Sequence, residues 1–179
     1  MQAAIYGEPP GVVAVTDSEF EVRFGPLLQD GFRIAVAILR DHEEAEDALQ
    51  EATFSAWRSY RRFRGDGAAA RVWFFTIVTN QCRSRLRSSW WRRGRAVGSD
   101  PRLDRLESRP QEVDIERRAD LAKALVKLSW NQRAVLCLYY QLDRPQTEIA
   151  GILGIRQGAV KSRVHRAVQA LREALDEGF

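Results

Sequence analysis

This chain of 179 residues lacks the sequence features that mark disulfide-rich, zinc-binding, membrane and secreted proteins. Its two cysteines, Cys82 and Cys137, are far apart and form neither a disulfide framework nor a pair with metal-ligand spacing. No stretch approaches the roughly 20 apolar residues that a membrane span requires. Residues 1–17 lack a basic start and an apolar core, so we expect no signal peptide. These absences favour a cytoplasmic protein that has no membrane partner and uses no metal or other cofactor.

Charge is divided unevenly along the chain, although the formal net charge is only +4. Residues 40–51 are acidic, whereas residues 58–95 hold many arginines and Asp66 as the one acid. Aromatic residues lie in or beside this basic block: Trp57, Tyr60, Phe63, Trp73, Trp90 and Trp91. A solvated charged face is the ordinary explanation of a basic run. Cationic side chains beside flat rings also suit the phosphates and unstacked bases of a nucleic acid.

The apolar residues recur at steps of three or four, and no segment alternates over the length of a strand. We therefore predict an all-α protein with two small helical domains, residues 18–91 and 113–179. A flexible tail, residues 1–17, precedes them. A flexible linker, residues 92–112, joins them, since it has glycines, prolines, mixed charges and few apolar residues.

Three helices are predicted in the first domain. The first starts near Glu19 and is broken or kinked at Pro26. The second is capped by Asp41, and its acidic first turn suits the helix dipole. The third covers residues 69–87 and carries one face of residues at steps of three and four: Trp73, Thr76, Asn80, Arg83 and Arg87. Cys82 lies beside arginines that could lower its pKa, but we interpret both cysteines as structural.

The second domain is predicted to end in a helix-turn-helix over residues 147–163. The first helix of this motif is predicted over residues 146–153, with Pro145 at its start, where a missing N–H costs nothing, and Gly154 supplies the left-handed conformation of the turn. Polar and basic residues stay outside the second helix: Arg156, Gln157, Lys161, Ser162, Arg163, His165 and Arg166. Such donors near the start of a helix suit a major groove. A helical hairpin that only packs is the alternative.

Three motifs resemble those of a known family. The run from Asp41 to Trp57 resembles region two of bacterial sigma factors, as do the loop Phe63–Gly67 and the run from Val72 to Arg83. The segment from Leu125 to Leu171 resembles region four. Their order and spacing are similar to the extracytoplasmic-function group, which keeps only these two domains. The family often has Ser or Thr at the position of Pro145, and Pro or Ser at that of Arg156.

The resemblance implies a protein that binds core RNA polymerase and directs promoter-specific initiation, and that is not an enzyme. The acidic helix would dock on the clamp helices of the largest polymerase subunit, and the flap of the second subunit is a further expected partner. Promoter DNA and an anti-sigma factor are the other expected partners. The implied docking residues are Asp41, Glu44, Asp47, Gln50, Glu51 and Trp57.

The resemblance also implies two DNA-binding surfaces. The seven exposed residues of the helix-turn-helix would read the minus-thirty-five element. The loop and the third helix would recognise and melt the minus-ten element. The implied minus-ten residues are Phe63, Arg64, Gly65, Asp66, Trp73, Thr76, Asn80, Arg83 and Arg87.

Other interpretations explain less of the sequence. A helix-turn-helix regulator that acts without polymerase needs no acidic docking helix. An enzyme needs clustered carboxylates or histidines, but His42 and His165 fall in different predicted domains. A pure interaction module leaves the basic, aromatic block unexplained. The pair Trp90-Trp91 matches no family signature. It either contacts DNA or covers a hydrophobic patch, and we prefer the second.

Overall fold

The structure is a computed structural model that describes the backbone of residues 17–93 and 112–176 and the side chains of residues 18–88 and 119–176. All regular elements within these ranges are helical, which confirms the all-α prediction. They are α1 (Asp17–Phe24), α2 (Leu28–Leu39), α3 (His42–Ser59), α4 (Gly67–Arg93), α5 (Glu112–Lys127), α6 (Trp130–Leu136), α7 (Gln146–Leu153) and α8 (Gln157–Asp176). Residues 1–16 of the predicted tail and 94–111 of the predicted linker lie outside the described ranges.

We call residues 17–93 the amino-terminal half. The expected break at Pro26 is present as a short 3₁₀ turn, Gly25–Leu27, between α1 and α2. Asp41 caps α3 as predicted, since its carboxylate accepts the Glu44 N–H at 2.9 Å. Four alanines of α3 are completely buried, and their small size lets α3 lie close to α2 and α4: Ala45, Ala48, Ala52 and Ala56. Helix α4 is longer than the predicted residues 69–87.

We call residues 112–176 the carboxyl-terminal half. Ser129 and Gln132 form a capping box at the start of α6, which runs on into one π-helical stretch, Cys137–Gln141. Helix α7 has the predicted bounds, Gln146–Leu153, and Pro145 is its N-cap residue. Gly154 has a φ of 65°, which confirms the left-handed turn between α7 and α8.

The two halves lie directly against each other, which the sequence does not predict. Helix α7 contacts α4, and α6 contacts α2. A bidentate ion pair, Arg71 with Glu148, crosses this boundary. Within the described ranges, every helix is too short or too polar to span a bilayer. The described residues also include no cluster of three His, Cys, Asp or Glu side chains that could hold a metal.

Candidate polymerase and nucleic-acid interfaces

Three carboxylates of α3 form one row, which we call the acidic stripe: Glu44, Asp47 and Glu51. All three contact a single guanidinium, that of Arg85 in α4. Arg85 Nη1 lies 2.9 Å from Glu44 Oε2 and 3.4 Å from Asp47 Oδ2, and Nη2 lies 2.8 Å from Glu51 Oε1. Burial alone would lower the pKa of Arg85, but the hydrogen bonds and charges of Glu44 and Glu51 raise it. The stripe is therefore held in place by the helix that carries the expected minus-ten residues.

The other predicted docking residues lie on the same helix. Asp41 is half-buried at its amino end, and Gln50 is exposed. Trp57 is 46% exposed and stacks on Phe54, with ring centroids 6.0 Å apart. The guanidinium of Arg58 lies 5.7 Å from the centre of the Phe54 ring. Acidic and aromatic side chains thus share α3, and Phe54 is a member of this surface that the sequence analysis missed.

The loop before α4 is tightly held. The Phe63 ring stacks on Trp73 with centroids 4.8 Å apart, and the Arg23 guanidinium lies 5.4 Å from the centre of the Phe63 ring. Arg23 also donates a hydrogen bond to the Gly65 carbonyl. A Cβ atom on Gly65 would lie 2.5 Å from Phe63 Cζ, so a larger residue does not fit. Asp66 caps α4 by accepting the Ala69 N–H at 2.9 Å.

The remaining loop residue, Arg64, is exposed and donates to the backbone carbonyls of Arg61 and Phe63. Nothing in the sequence pattern pointed to Arg23. The role of Arg23 can be seen only in the folded protein, because its contacts with the loop require α1 to pack against that loop. The structure therefore brings together all four predicted loop residues and adds a basic residue from α1.

The predicted face of α4 is only partly exposed. Asn80, Arg83 and Arg87 are exposed, whereas Trp73 and Thr76 are half-buried. The Thr76 hydroxyl donates to the Val72 carbonyl at 2.7 Å. The Arg83 guanidinium lies 5.2 Å from the centre of the Trp130 ring, which belongs to the carboxyl-terminal half. One of the five predicted residues is therefore in contact with the other half.

The second helix of the helix-turn-helix, α8, has two distinct sides. Val160, Val164 and Ala167 are buried against the core. Arg163 is half-buried, and the other six predicted residues are exposed. One of the six lies just before α8 and five lie in its first three turns: Arg156, Gln157, Lys161, Ser162, His165 and Arg166. This arrangement leaves a mostly basic surface of a size that suits a major groove.

Comparisons with known proteins agree with this geometry. The Sigma-70 region 2 family matches residues 23–92, and the Sigma-70, region 4 family matches residues 118–171. The extracytoplasmic-function sigma factor SigL of Mycobacterium tuberculosis is 37% identical over 148 residues, which are 82% of this chain and 82% of SigL. The chain belongs to the extracytoplasmic-function group of sigma factors. It therefore binds core RNA polymerase and directs promoter-specific initiation, and a regulator that acts without polymerase is not favoured.

Two further relatives of this sigma factor span most of its length. SigM of Mycobacterium tuberculosis is 34% identical over 143 residues, which are 80% of this chain and 70% of SigM. The solved structure of the sigma factor RpoE from Bartonella quintana, in complex with the anti-sigma factor NepR, has a TM-score of 0.72 and 26% identity. The match covers 89% of this chain and 98% of RpoE.

Neither cysteine of this sigma factor is in a disulfide bond. Cys82 and Cys137 are both buried. Burial raises the pKa of each thiol to about 12. The charge of Arg85 acts in the opposite direction on Cys82 but is the smaller effect. Arginines near Cys82 therefore do not make it reactive. The side chains of Trp90 and Trp91 lie outside the described residues.

Proposed function

We propose that polymerase docking and promoter reading are divided among the residues described above. The domains would be residues 18–91 for region two and 113–179 for region four, with residues 92–112 as the linker. The acidic stripe is the observation that carries the docking assignment. It is an ordered negative row in an otherwise basic half, with exposed Trp57 on the same helix. We infer that the stripe, Asp41, Gln50 and Trp57 meet the clamp helices of the largest polymerase subunit.

The minus-ten assignment rests on the loop and α4. Stacking of Phe63 on Trp73 marks a place where flat rings already meet, and an unstacked base could take part in the same stack. Asn80 and Arg87 are exposed farther along α4, and the positive charge of Arg87 would bind a DNA phosphate. Extruding a base costs a few kcal/mol, which stacking and polar contacts can offset. The exposed side of α8 would read the minus-thirty-five element.

The remaining parts of the proposal concern binding partners and cellular location. A protein that works on core polymerase acts where that enzyme and the genome are, so we propose a cytoplasmic location and no catalytic activity of its own. The flap of the second polymerase subunit is the proposed partner of region four. RpoE from Bartonella quintana was solved with NepR, which supports the expectation of an anti-sigma partner here.

The first test is run-off transcription with purified protein, core polymerase and a library of genomic fragments. We expect defined starts only when both proteins are present, with two shared upstream elements. Gln50→Arg then probes docking. Gln50 is exposed on α3, so the substitution adds a positive charge without breaking the stripe. Asp47→Arg is a poorer probe, since Asp47 already pairs with Arg85.

The matched control for Gln50→Arg is Gln29→Arg, which adds the same charge at an exposed position of α2. A partner surface that binds the acidic stripe would itself be basic, so an added arginine would place like charges opposite each other. We therefore expect Gln50→Arg to weaken binding to core polymerase by at least about tenfold. Gln29→Arg should leave binding unchanged. Equal binding by both variants would remove Gln50 from the docking surface.

A further inference from the structure

We propose that Arg23 of α1 is a positioning residue for the loop before α4, residues 63–66, and fixes this loop in the shape that receives one extruded base of the minus-ten element. The fixing itself rests on contacts within the protein. Its consequence for the base rests on the proposed function. Arg23 acts through Phe63 and Gly65 rather than by touching DNA itself.

The guanidinium of Arg23 joins α1 to two parts of the loop. It donates a hydrogen bond to the Gly65 carbonyl, and it lies 5.4 Å from the centre of the Phe63 ring. It also lies 6.0 Å from the centre of the Tyr60 ring, in the turn that leads into the loop. The hydrogen bond sets the direction of the Gly65 carbonyl, and the cation–π contact holds the Phe63 ring. Backbone and ring are therefore fixed by the same side chain.

The Phe63 ring also packs on α4 and on its own loop. It stacks on Trp73 with ring centroids 4.8 Å apart. A Cβ atom on Gly65 would lie 2.5 Å from Phe63 Cζ and 2.8 Å from Ala69 Cβ, so the loop backbone lies close over the ring. The Phe63 N–H donates to the Tyr60 carbonyl at 2.9 Å. Loss of the Arg23 guanidinium would leave these contacts in place and remove the link to α1.

The attachment of α1 does not depend on Arg23. Phe24 is completely buried, and its ring centroid lies 5.7 Å from that of Trp73 and 5.6 Å from that of Phe74. Phe20 is 8% exposed, with its ring centroid 4.7 Å from that of Phe24. Arg23 is only half-buried. A change at Arg23 should therefore loosen the loop and leave α1 in place.

A fixed loop makes an extruded base easier to hold. Extrusion already costs free energy, and a mobile loop would have to be ordered at the same moment. Ordering one or two side chains on binding corresponds to about tenfold in affinity. Because Arg23 orders the loop before DNA arrives, its contribution should appear only when the base that enters the loop is present.

Hydrogen exchange of the free sigma factor tests the fixing without DNA. We expect Arg23→Met to speed exchange of the Phe63 N–H by at least about fivefold, since a lost hydrogen bond and cation–π contact shift local opening by about that factor. Arg23→Gln, neutral and shorter, is the second variant and should act in the same way. The matched control, Arg33→Met, removes the same charge from an exposed position of α2 and should leave exchange unchanged. Circular dichroism confirms that each variant is folded. Unchanged exchange in either folded Arg23 variant would overturn the proposal.

Strand binding by the holoenzyme tests the consequence for the base. The probes are single-stranded minus-ten oligonucleotides, chosen from the starts found by run-off transcription, with one base removed at a time. We expect removal of one particular base to weaken binding by the wild-type holoenzyme by at least about tenfold, as loss of a stacked base does. Arg23→Met should bind the intact strand about tenfold more weakly, but should bind the strand that lacks this base as well as wild type does.

Arg87→Met separates positioning from a phosphate contact. Arg87 is exposed on α4, and its loss should weaken binding of the intact strand and of the strand without the base by the same factor. If Arg23→Met also weakens both strands equally, the positioning role is overturned. If wild type loses no affinity at any missing base while Arg23→Met still speeds exchange, Arg23 fixes the loop but the proposed minus-ten function of the loop fails.

Discussion

The substitution Arg85→Met tests how much the ion pairs between Arg85 and the acidic stripe contribute to the free energy of unfolding. Arg85 is 19% exposed, and the side chain of Glu44 is 25% exposed, whereas those of Asp47 and Glu51 are more than half exposed. Exposed pairs contribute a few tenths of a kcal/mol each, so the two outer pairs together contribute about 0.5 kcal/mol. The more buried Glu44 pair contributes about 1 to 1.5 kcal/mol, a value typical of hydrogen bonds to charged groups. We expect Arg85→Met to lower the free energy of unfolding by about 2 kcal/mol.

The assay is urea unfolding followed by circular dichroism at low salt and at 1 M NaCl. A loss of about 2 kcal/mol corresponds to a fall in Tm of about 6 °C for a protein of this size. At 1 M salt the Debye length is about 3 Å, so the outer pairs are screened and the loss should shrink to about 1.5 kcal/mol. The matched control is Arg87→Met, which removes the same charge from an exposed position of the same helix.

A double-mutant cycle between Arg85→Met and Glu44→Gln isolates the central pair. We expect a coupling of about 1 kcal/mol, because each single change removes the same contact. The reasoning is refuted if Arg85→Met lowers the free energy of unfolding by no more than Arg87→Met does. It is also refuted if the loss is the same at both salt concentrations, since the outer pairs would then carry no electrostatic stabilisation.

Three further predictions concern other sites. Asp41→Ala should lower the free energy of unfolding by about 1 kcal/mol through loss of the α3 cap, measured by urea unfolding. Cys82 and Cys137 should resist alkylation at pH 8 in the native protein and react after unfolding, because burial raises each thiol pKa to about 12; rapid native labelling would contradict this. Lys161→Ala and Arg163→Ala should each weaken initiation at promoters with a minus-thirty-five element and spare promoters without one, measured by run-off transcription.

Local chemistry made much of the fold predictable. The start of α3 follows from Asp41 and the turn before α8 from Gly154, because a cap and a left-handed turn depend on few neighbouring residues. The bounds of α7 were also predictable, because Pro145 and Gly154 mark its two ends. The π-helical stretch at Cys137–Gln141 has no sequence signal that we can identify.

Contacts between distant residues were not predictable in this way. Arg85 was only one arginine of the basic block, and its role as the centre of the acidic stripe needs α3 and α4 to be side by side. Arg71 and Glu148 are 77 residues apart, and Arg133 and Ala37 are 96 apart. Periodicity reports which face of a helix is buried, but it does not report which helix covers that face.

The composition of the basic block overstates the positive charge that the protein has available for DNA. Arg71 and Arg85 are neutralised by carboxylates, and Arg83 lies over Trp130, so these three arginines are already engaged inside the molecule. Arg87, on the same helix, is exposed. Because each phosphate contact releases counterions, a count of the arginines alone would overestimate the salt dependence of DNA binding.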